Sequence, residues 1–303
     1  MVLAIAGCSK STPPATTATT PPATVPTPTG KPLGAPALGD GGRITVAVKN
    51  YTVATIISIN PDGSDPKQLT DGKTFDGCPA VGPGNLIAFC RGQRNFYEIW
   101  LMDDTGGHQR QLTALGGEST HSDISPDGKR VAFCGNKSTQ EGDTRDIWVI
   151  GVDGKNLVQL TNTPTEDDCD PAWSPDGSKI LFSSDHGGSP ELWVMDATGK
   201  GAQALTTGLR AGQSPAKWSP DGTKVAYIAN SSVWVMPVAG GSATRLTEGG
   251  VDDFPAWSAK GNEIVYRHMD DDETGTLRIV TVQNGQIRAV PIDTKGLPVA
   301  PCW

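Results

Sequence analysis

Carboxylates gather at three places in this 303-residue chain: Glu166, Asp167, Asp168 and Asp170; Asp252 and Asp253; and Glu118 and Asp123 beside His121. Clusters of this kind attract a basic peptide, an amine or a divalent cation. A calcium ion would need about six to eight of their oxygens converging at roughly 2.3–2.6 Å. The competing reading is a solvated acidic loop surface that only keeps the chain soluble. Asp270, Asp271, Asp272 and Glu273 form a fourth run, read as solvated.

Thiols are the other reactive groups. Six cysteines stand at 8, 78, 90, 134, 169 and 302. In an exported protein the pairs Cys78–Cys90 and Cys134–Cys169 are expected, with Cys302 left over and Cys90–Cys134 as a competing pairing. His108, His121, His186 and His268 are scattered, without a partner at ligand spacing. No zinc-protease H-E-x-x-H, no G-x-S-x-G nucleophile elbow, no phosphate loop and no EF-hand pattern occurs, so no catalytic residue is assigned. Lys+Arg 25 against Asp+Glu 33 gives a net charge of −8, which repels nucleic acid and anionic lipid. No run of about 18 apolar residues is present to cross a bilayer as a helix.

A recurring unit must position these groups. Leu-Thr pairs end at Thr70, Thr113, Thr161, Thr206 and Thr247, and a period in the forties built of short strands is that of propeller blades. One unit reads Pro171-Ala172-Trp173, the turn Ser-Pro-Asp-Gly, Ile180-Leu181-Phe182, Leu192-Trp193-Val194-Met195, and Gln203-Ala204-Leu205-Thr206. These are four strands, A to D from the axis outward, joined by hairpins. Trp173, Trp218, Trp257 and Trp303 recur on A strands and Trp100, Trp148, Trp193 and Trp234 on C strands, which marks them as packing residues. The Asp-Gly pairs at 127, 176 and 221 are turns and not metal sites, because glycine tolerates the positive φ required there.

Pro171-Ala172-Trp173-Ser174-Pro175-Asp176-Gly177 resembles the TolB-type propeller repeat. Trp218-Ser219-Pro220-Asp221-Gly222 and Ile124-Ser125-Pro126-Asp127-Gly128 match closely, while Val81-Gly82-Pro83-Gly84 and Trp257-Ser258-Ala259-Lys260-Gly261 depart from it. The resemblance covers residues 43–303 and implies an all-β, six-bladed propeller of four-stranded blades. Pro301-Cys302-Trp303 matches Pro171-Ala172-Trp173, so the C-terminal strand is expected to complete the first blade and close the ring; a truncated seventh blade is the alternative. Propellers of the TolB type are protein-binding modules of the cell envelope, and the resemblance implies that role here.

On this layout the D-to-A loops surround one mouth of the central channel. They carry twelve acids against Lys73, Arg210 and Lys295, so Glu118, His121, Asp123, Glu166, Asp167, Asp168, Asp170, Asp252 and Asp253 are expected to converge on a ligand.

At the other end, Ile5-Ala6-Gly7-Cys8 resembles the bacterial lipobox, which implies lipidation of Cys8 behind a truncated signal (residues 1–8), the start codon lying too far downstream. Residues 9–38 are rich in proline and threonine and read as a disordered tether, leaving 39–303 as the propeller. The combined expectation is a monomeric, non-catalytic lipoprotein. It is exported and lipid-anchored at the outer face of the cytoplasmic membrane or the envelope, and it binds a protein or basic peptide at an acidic mouth. The alternatives are a calcium-dependent lactonase or lyase and a small-molecule or glycan binder.

Overall fold

The computed structural model describes residues 42–50, 53–93, 96–137, 144–212, 214–270, 275–292 and 296–303. The lipobox, the tether and Asp271 to Glu273 lie outside the described residues.

Strands make up the architecture, with one 3-10 turn at Pro83–Asn85. The first seven are β1 (Ile44–Asn50), β2 (Val53–Ile59), β3 (Lys67–Gln68), β4 (Phe75–Val81), β5 (Leu86–Gln93), β6 (Phe96–Asp103) and β7 (Arg110–Gln111). Four four-stranded sheets follow. Strands β8 (Ser119–Ile124), β9 (Arg130–Gly135), β10 (Asp146–Gly151) and β11 (Val158–Gln159) form one of them. The second is β12 (Asp168–Trp173), β13 (Lys179–Ser184), β14 (Glu191–Asp196) and β15 (Gln203–Ala204). The third is β16 (Lys217–Trp218), β17 (Lys224–Ala229), β18 (Ser232–Pro237) and β19 (Thr244–Arg245). The fourth is β20 (Val251–Trp257), β21 (Glu263–Met269), β22 (Gly275–Thr281) and β23 (Ile287–Val290). The last strand, β24 (Leu297–Cys302), returns to pair antiparallel with β1.

This is an all-β propeller with four-stranded blades, and it corrects one expectation. Four blades stand as separate sheets where six were expected; β24 and β1 to β7 make a single eight-stranded sheet. One parallel pair, Ala54 with Phe75, fuses its two halves. The short turn before Phe75 brings the Thr74 carbonyl within 3.3 Å of the Ala54 amide.

The inner strands are apolar on both faces because each sheet has a neighbour on either side. In β13, Ile180 to Ser184 are all buried. Leu181, Leu192 and Val194 pack on Trp218, Val225 and Tyr227 of the next blade, and Ile44, Val46 and Ile57 pack on Val265, Leu277 and Ile279. All eight tryptophans join such inter-sheet clusters, where a fully buried apolar side chain contributes roughly 1.5–3 kcal/mol. Two indoles also stitch neighbours together: Trp218 Nε1 donates to the Ala172 carbonyl at 3.2 Å and Trp257 Nε1 to that of Lys217 at 3.0 Å.

The repeat residues have local causes. Asp127, Asp176 and Asp221 each accept a serine hydroxyl at 2.6 Å and the amide two residues on at 3.0 Å, closing the A-B turns. The threonine of each Leu-Thr pair accepts the amide of a C-strand residue, at 2.8–3.0 Å from Ile56, Ile99, Ile147, Leu192 and Val233. The hydroxyls of Thr113, Thr161, Thr206 and Thr247 then donate to Glu98, Asp146, Glu191 and Asp252. Each D strand is thereby latched to its blade.

Candidate functional site at the channel mouth

Five strands that line the channel share one irregularity. The register slips between Gly77 and Ala80, Thr120 and Asp123, Cys169 and Ala172, and Asp253 and Ala256, and opposite β24 between Thr45 and Ala47. Within each slip one residue is left-handed: Cys78, His121, Asp170, Phe254 and Ala300, with φ between 45° and 55°. An extra residue in one strand cannot join the ladder, and the bulge turns it out of the sheet plane. Four of the five are followed by proline, which has no amide to leave unpaired there. Left-handed backbone in a non-glycine residue costs on the order of 1–2 kcal/mol, an expense that each of these bulges carries. Among the described residues the blade of β16 has no such bulge.

Three cavities follow one another along the axis. The outermost, of about 350 Å³, is lined by His121, Arg145, Asp167, Asp170, Asp185 and Phe254, among others. A passage of about 40 Å³ follows, walled by Cys78, His121, Asp170 and prolines 79, 171, 215, 255 and 301. Below it a chamber of about 150 Å³ is lined by Val81, Ile124 and the A-strand tryptophans. Between passage and chamber, Lys217 Nζ lies 3.0 Å from Asp123 Oδ1, and Asp123 Oδ2 accepts the Trp173 amide at 2.8 Å. This ion pair crosses the channel.

The electrostatics of the outer cavity centre on Arg145. Its Nε and Nη2 contact Asp167 at 3.0 and 2.5 Å, and its Nη1 lies 3.7 Å from Glu118. Burial acts to raise the Asp167 pKa, but the hydrogen bonds and charge of Arg145 outweigh it and hold the carboxyl below its usual range. His121 Nδ1 lies 3.8 Å from Asp170 and 3.7 Å from Cys169 Sγ. Desolvation favours the neutral ring, yet the charges of Cys78 and Asp170 prevail and raise His121 to about 9. Asp170 accepts the Ser183 hydroxyl at 3.3 Å, and Asp185 accepts the Asp167 amide at 2.8 Å.

The expected acidic set divides. Glu118, His121, Asp167 and Asp170 come together at the mouth. Asp123 lies deeper, and Glu166 sits 3.4 Å from His186. Asp168 and Asp252 are buried within their blades, at 2 % and 1 % exposure, bonded to Thr163 and to Thr247 with His268. Burial raises Asp253 more than its partner Arg267 lowers it. Charges outside the D-to-A loops answer the acids within them: Arg91 pairs with Asp76, Arg145 with Asp167 and Arg267 with Asp253. These arginines, with Phe254 and Asp185, were missed, and Cys78 was read only as half of a disulfide. Counting the B-to-C loops of the same face would have found Arg145, and a repeat alignment would have placed Cys78 and Phe254 at the position of His121.

Of the cysteines, Cys134 and Cys169 form the expected disulfide. Cys78 and Cys90 do not; both are free thiols, Cys78 half-buried at its bulge and Cys90 buried in the core. Among the described residues the group with metal-ligand spacing is His121, Cys134 and Cys169, two of which the disulfide occupies.

The profile of the TolB beta propeller domain matches residues 124–303. The Tol-Pal system protein TolB of Anaeromyxobacter dehalogenans is 35% identical over 136 residues, 43% of this chain and 29% of that protein. The uncharacterized peptidase YuxL of Bacillus subtilis is 35% identical over 83 residues, 27% of this chain and 12% of that one. The chain spans no more than 33% of the length of the curated relatives it matches. In three dimensions the crystal structure of TolB from Acinetobacter baumannii superposes with a TM-score of 0.74 at 24% identity, over 88% of this chain and 67% of that one.

Proposed function

We propose, on the premise that this chain belongs to the TolB β-propeller domain family, that it is a non-catalytic interaction propeller of the cell envelope, holding a basic segment of a protein partner in the outer cavity. The carrying observation is the pair Asp170 and Asp185 in a cavity of about 350 Å³. A hydroxyl and an amide fix these carboxylates in place; among the described residues Asp185 has no cation at ion-pair distance, and Asp170 shares the His121 imidazole at 3.8 Å and the more distant Arg145. A lysine or arginine entering there would form charge-assisted hydrogen bonds, each contributing roughly 1.5–3 kcal/mol, and the neighbouring Phe254 adds an apolar wall.

The finer architecture belongs to the same reading. Each half of the eight-stranded sheet has the size of one blade, so six units form a ring that β24 closes through β1. The lipobox-like Ile5-Ala6-Gly7-Cys8 supports an exported, lipid-anchored chain, and the Cys134–Cys169 disulfide supports an oxidising compartment. The likeness to the peptidase covers about two repeats, which supports a shared fold and not shared chemistry.

The test is capture from envelope extract on immobilised residues 39–303, beside a variant carrying Asp170→Asn and Asp185→Asn. A protein held by the native domain, released by salt and absent from the variant supports the reading. Identical retention by both forms refutes it.

A further inference from the structure

The thiols Cys78 and Cys90 differ from the other cysteines in placement. Cys134 and Cys169 are both buried and bonded to each other, and Cys302 is free, without a thiol neighbour on its strand. Cys78 instead lines the narrow passage, on a left-handed bulge. Cys90 lies behind it on β5, 1 % exposed, opposite Gly77 in the register and in the apolar cluster against which Cys78 packs. The two thiols share one apolar cluster, and His121, the bulge residue of the neighbouring blade, lines the same passage as Cys78. On its other side that imidazole has Asp170, 3.8 Å away. A half-buried thiol at the wall of a passage, a buried thiol behind it and an imidazole on the same wall are the arrangement that thiol-disulfide exchange uses.

We propose that Cys78 and Cys90 form a redox-active dithiol at the channel mouth, with Cys78 attacking, Cys90 resolving and His121 as the positioning residue, and that its substrate is an accessible disulfide of a peptide or protein entering the outer cavity. The Cys78 thiolate attacks one sulfur of the disulfide R–S–S–R′, forming Cys78–S–S–R and expelling R′–S⁻, which takes the proton of the His121 imidazolium. Cys90 loses its proton to water and attacks the Cys78 sulfur. That closes the Cys78–Cys90 disulfide and expels R–S⁻, which is protonated from water. Two protein thiols are oxidised and one substrate disulfide is reduced to two thiols. The charges nearby favour this assignment of roles: interaction with Cys90 first and the His121 charge second hold Cys78 well below the ordinary thiol range, while Cys90 is raised. Tyr97 on the same sheet with Glu118 beside it, and Asp170 and Arg145 beyond His121, are further titratable and charged groups near the pair.

The inference is independent of whether a basic segment docks, and its test needs no partner. The full chain, mildly reduced so that Cys134–Cys169 persists, is treated with 5,5′-dithiobis(2-nitrobenzoate) and mapped by peptide mass, which separates Cys78 from Cys8. The wild type should end with a Cys78–Cys90 disulfide and no adduct at either residue, and Cys90→Ser should keep one thionitrobenzoate on Cys78. Iodoacetamide alkylation of wild-type Cys78 should stay within about twofold between pH 7 and 9, where an ordinary thiol gains roughly 25-fold. His121→Asn should restore much of that gain. An unreactive Cys78, an adduct retained by the wild type, or the ordinary pH rise in the wild type would each overturn the proposal. The alkylation profile needs no variant, so a Cys90→Ser protein that fails to fold leaves the test intact.

Discussion

Replacing Thr206 by valine isolates what the latch between the D and C strands contributes. The Thr206 hydroxyl is buried, accepts the Leu192 amide at 2.9 Å and donates to Glu191 Oε2 at 2.6 Å. Valine keeps the shape but strands the amide and takes a donor from a carboxylate that is itself buried. An unsatisfied buried amide costs about 1–3 kcal/mol and a lost hydrogen bond to a charged group about 1.5–3, so the sum after partial relaxation is roughly 3 kcal/mol. For a domain of this size that lowers Tm by about 6–12 °C. Thr70→Val is the internal control. Thr70 accepts the Ile56 amide at 3.0 Å, but Thr55 stands where Glu191 precedes Leu192, so its loss should be about half as large. Urea denaturation followed by tryptophan fluorescence, with m-values compared, measures both. A Thr206→Val protein within 0.5 kcal/mol of wild type, a difference that surface substitutions also produce, would refute the latch. Equal losses in the two variants would refute the share assigned to the carboxylate.

Three further outcomes are expected. Deleting residues 298–303 removes the pairing of β24 with β1 and the Trp303 packing, and should lower Tm by more than 10 °C; unchanged melting would show that the strand is dispensable. His121 has a folded pKa of about 9, above its ordinary 6.5. Its stabilisation, on the order of 1–3 kcal/mol, is therefore fully present below pH 6.5 and is lost as pH rises through 9; melting of reduced wild type and His121→Gln should diverge at pH 6 and converge above pH 9. Lys217→Met leaves the Asp123 carboxylate without its cation inside the channel and should cost about 2 kcal/mol, most of which Asp123→Asn in the same chain recovers; additive losses in a double-mutant cycle would mean the two side chains do not couple.

The fold was legible because its signals are local and repeated. The Asp-Gly turns, the Leu-Thr ends and the alternation of short apolar runs each recur with the period, and each has a short-range cause in the structure. The fusion of two half-sheets was not legible, because it hangs on one pairing between Ala54 and Phe75 that follows from the length of a single turn. Of the nine residues expected at the mouth, Glu118, His121, Asp167 and Asp170 meet there, and the neutralisation of the acids was not legible. Asp167, Asp253 and Asp76 find arginines from B strands and from a B-to-C loop, partners that inspection of the D-to-A loops alone cannot supply. Asp168 and Asp252 resemble mouth acids in sequence but are buried, bonded to the hydroxyls of Thr163 and Thr247.

The bulges have a consequence for how the mouth selects orientation. A ring of equivalent repeats offers a guest rotational degeneracy: the same contacts recur at every step about the axis. Here the five left-handed positions present a thiol, an imidazole, a carboxylate, a phenyl ring and a methyl group, and the unit of β16 presents none. On the proposed reading, a guest reaching the rim has one angular setting that matches its own sequence of groups, and the repeated scaffold would act as a keyed socket.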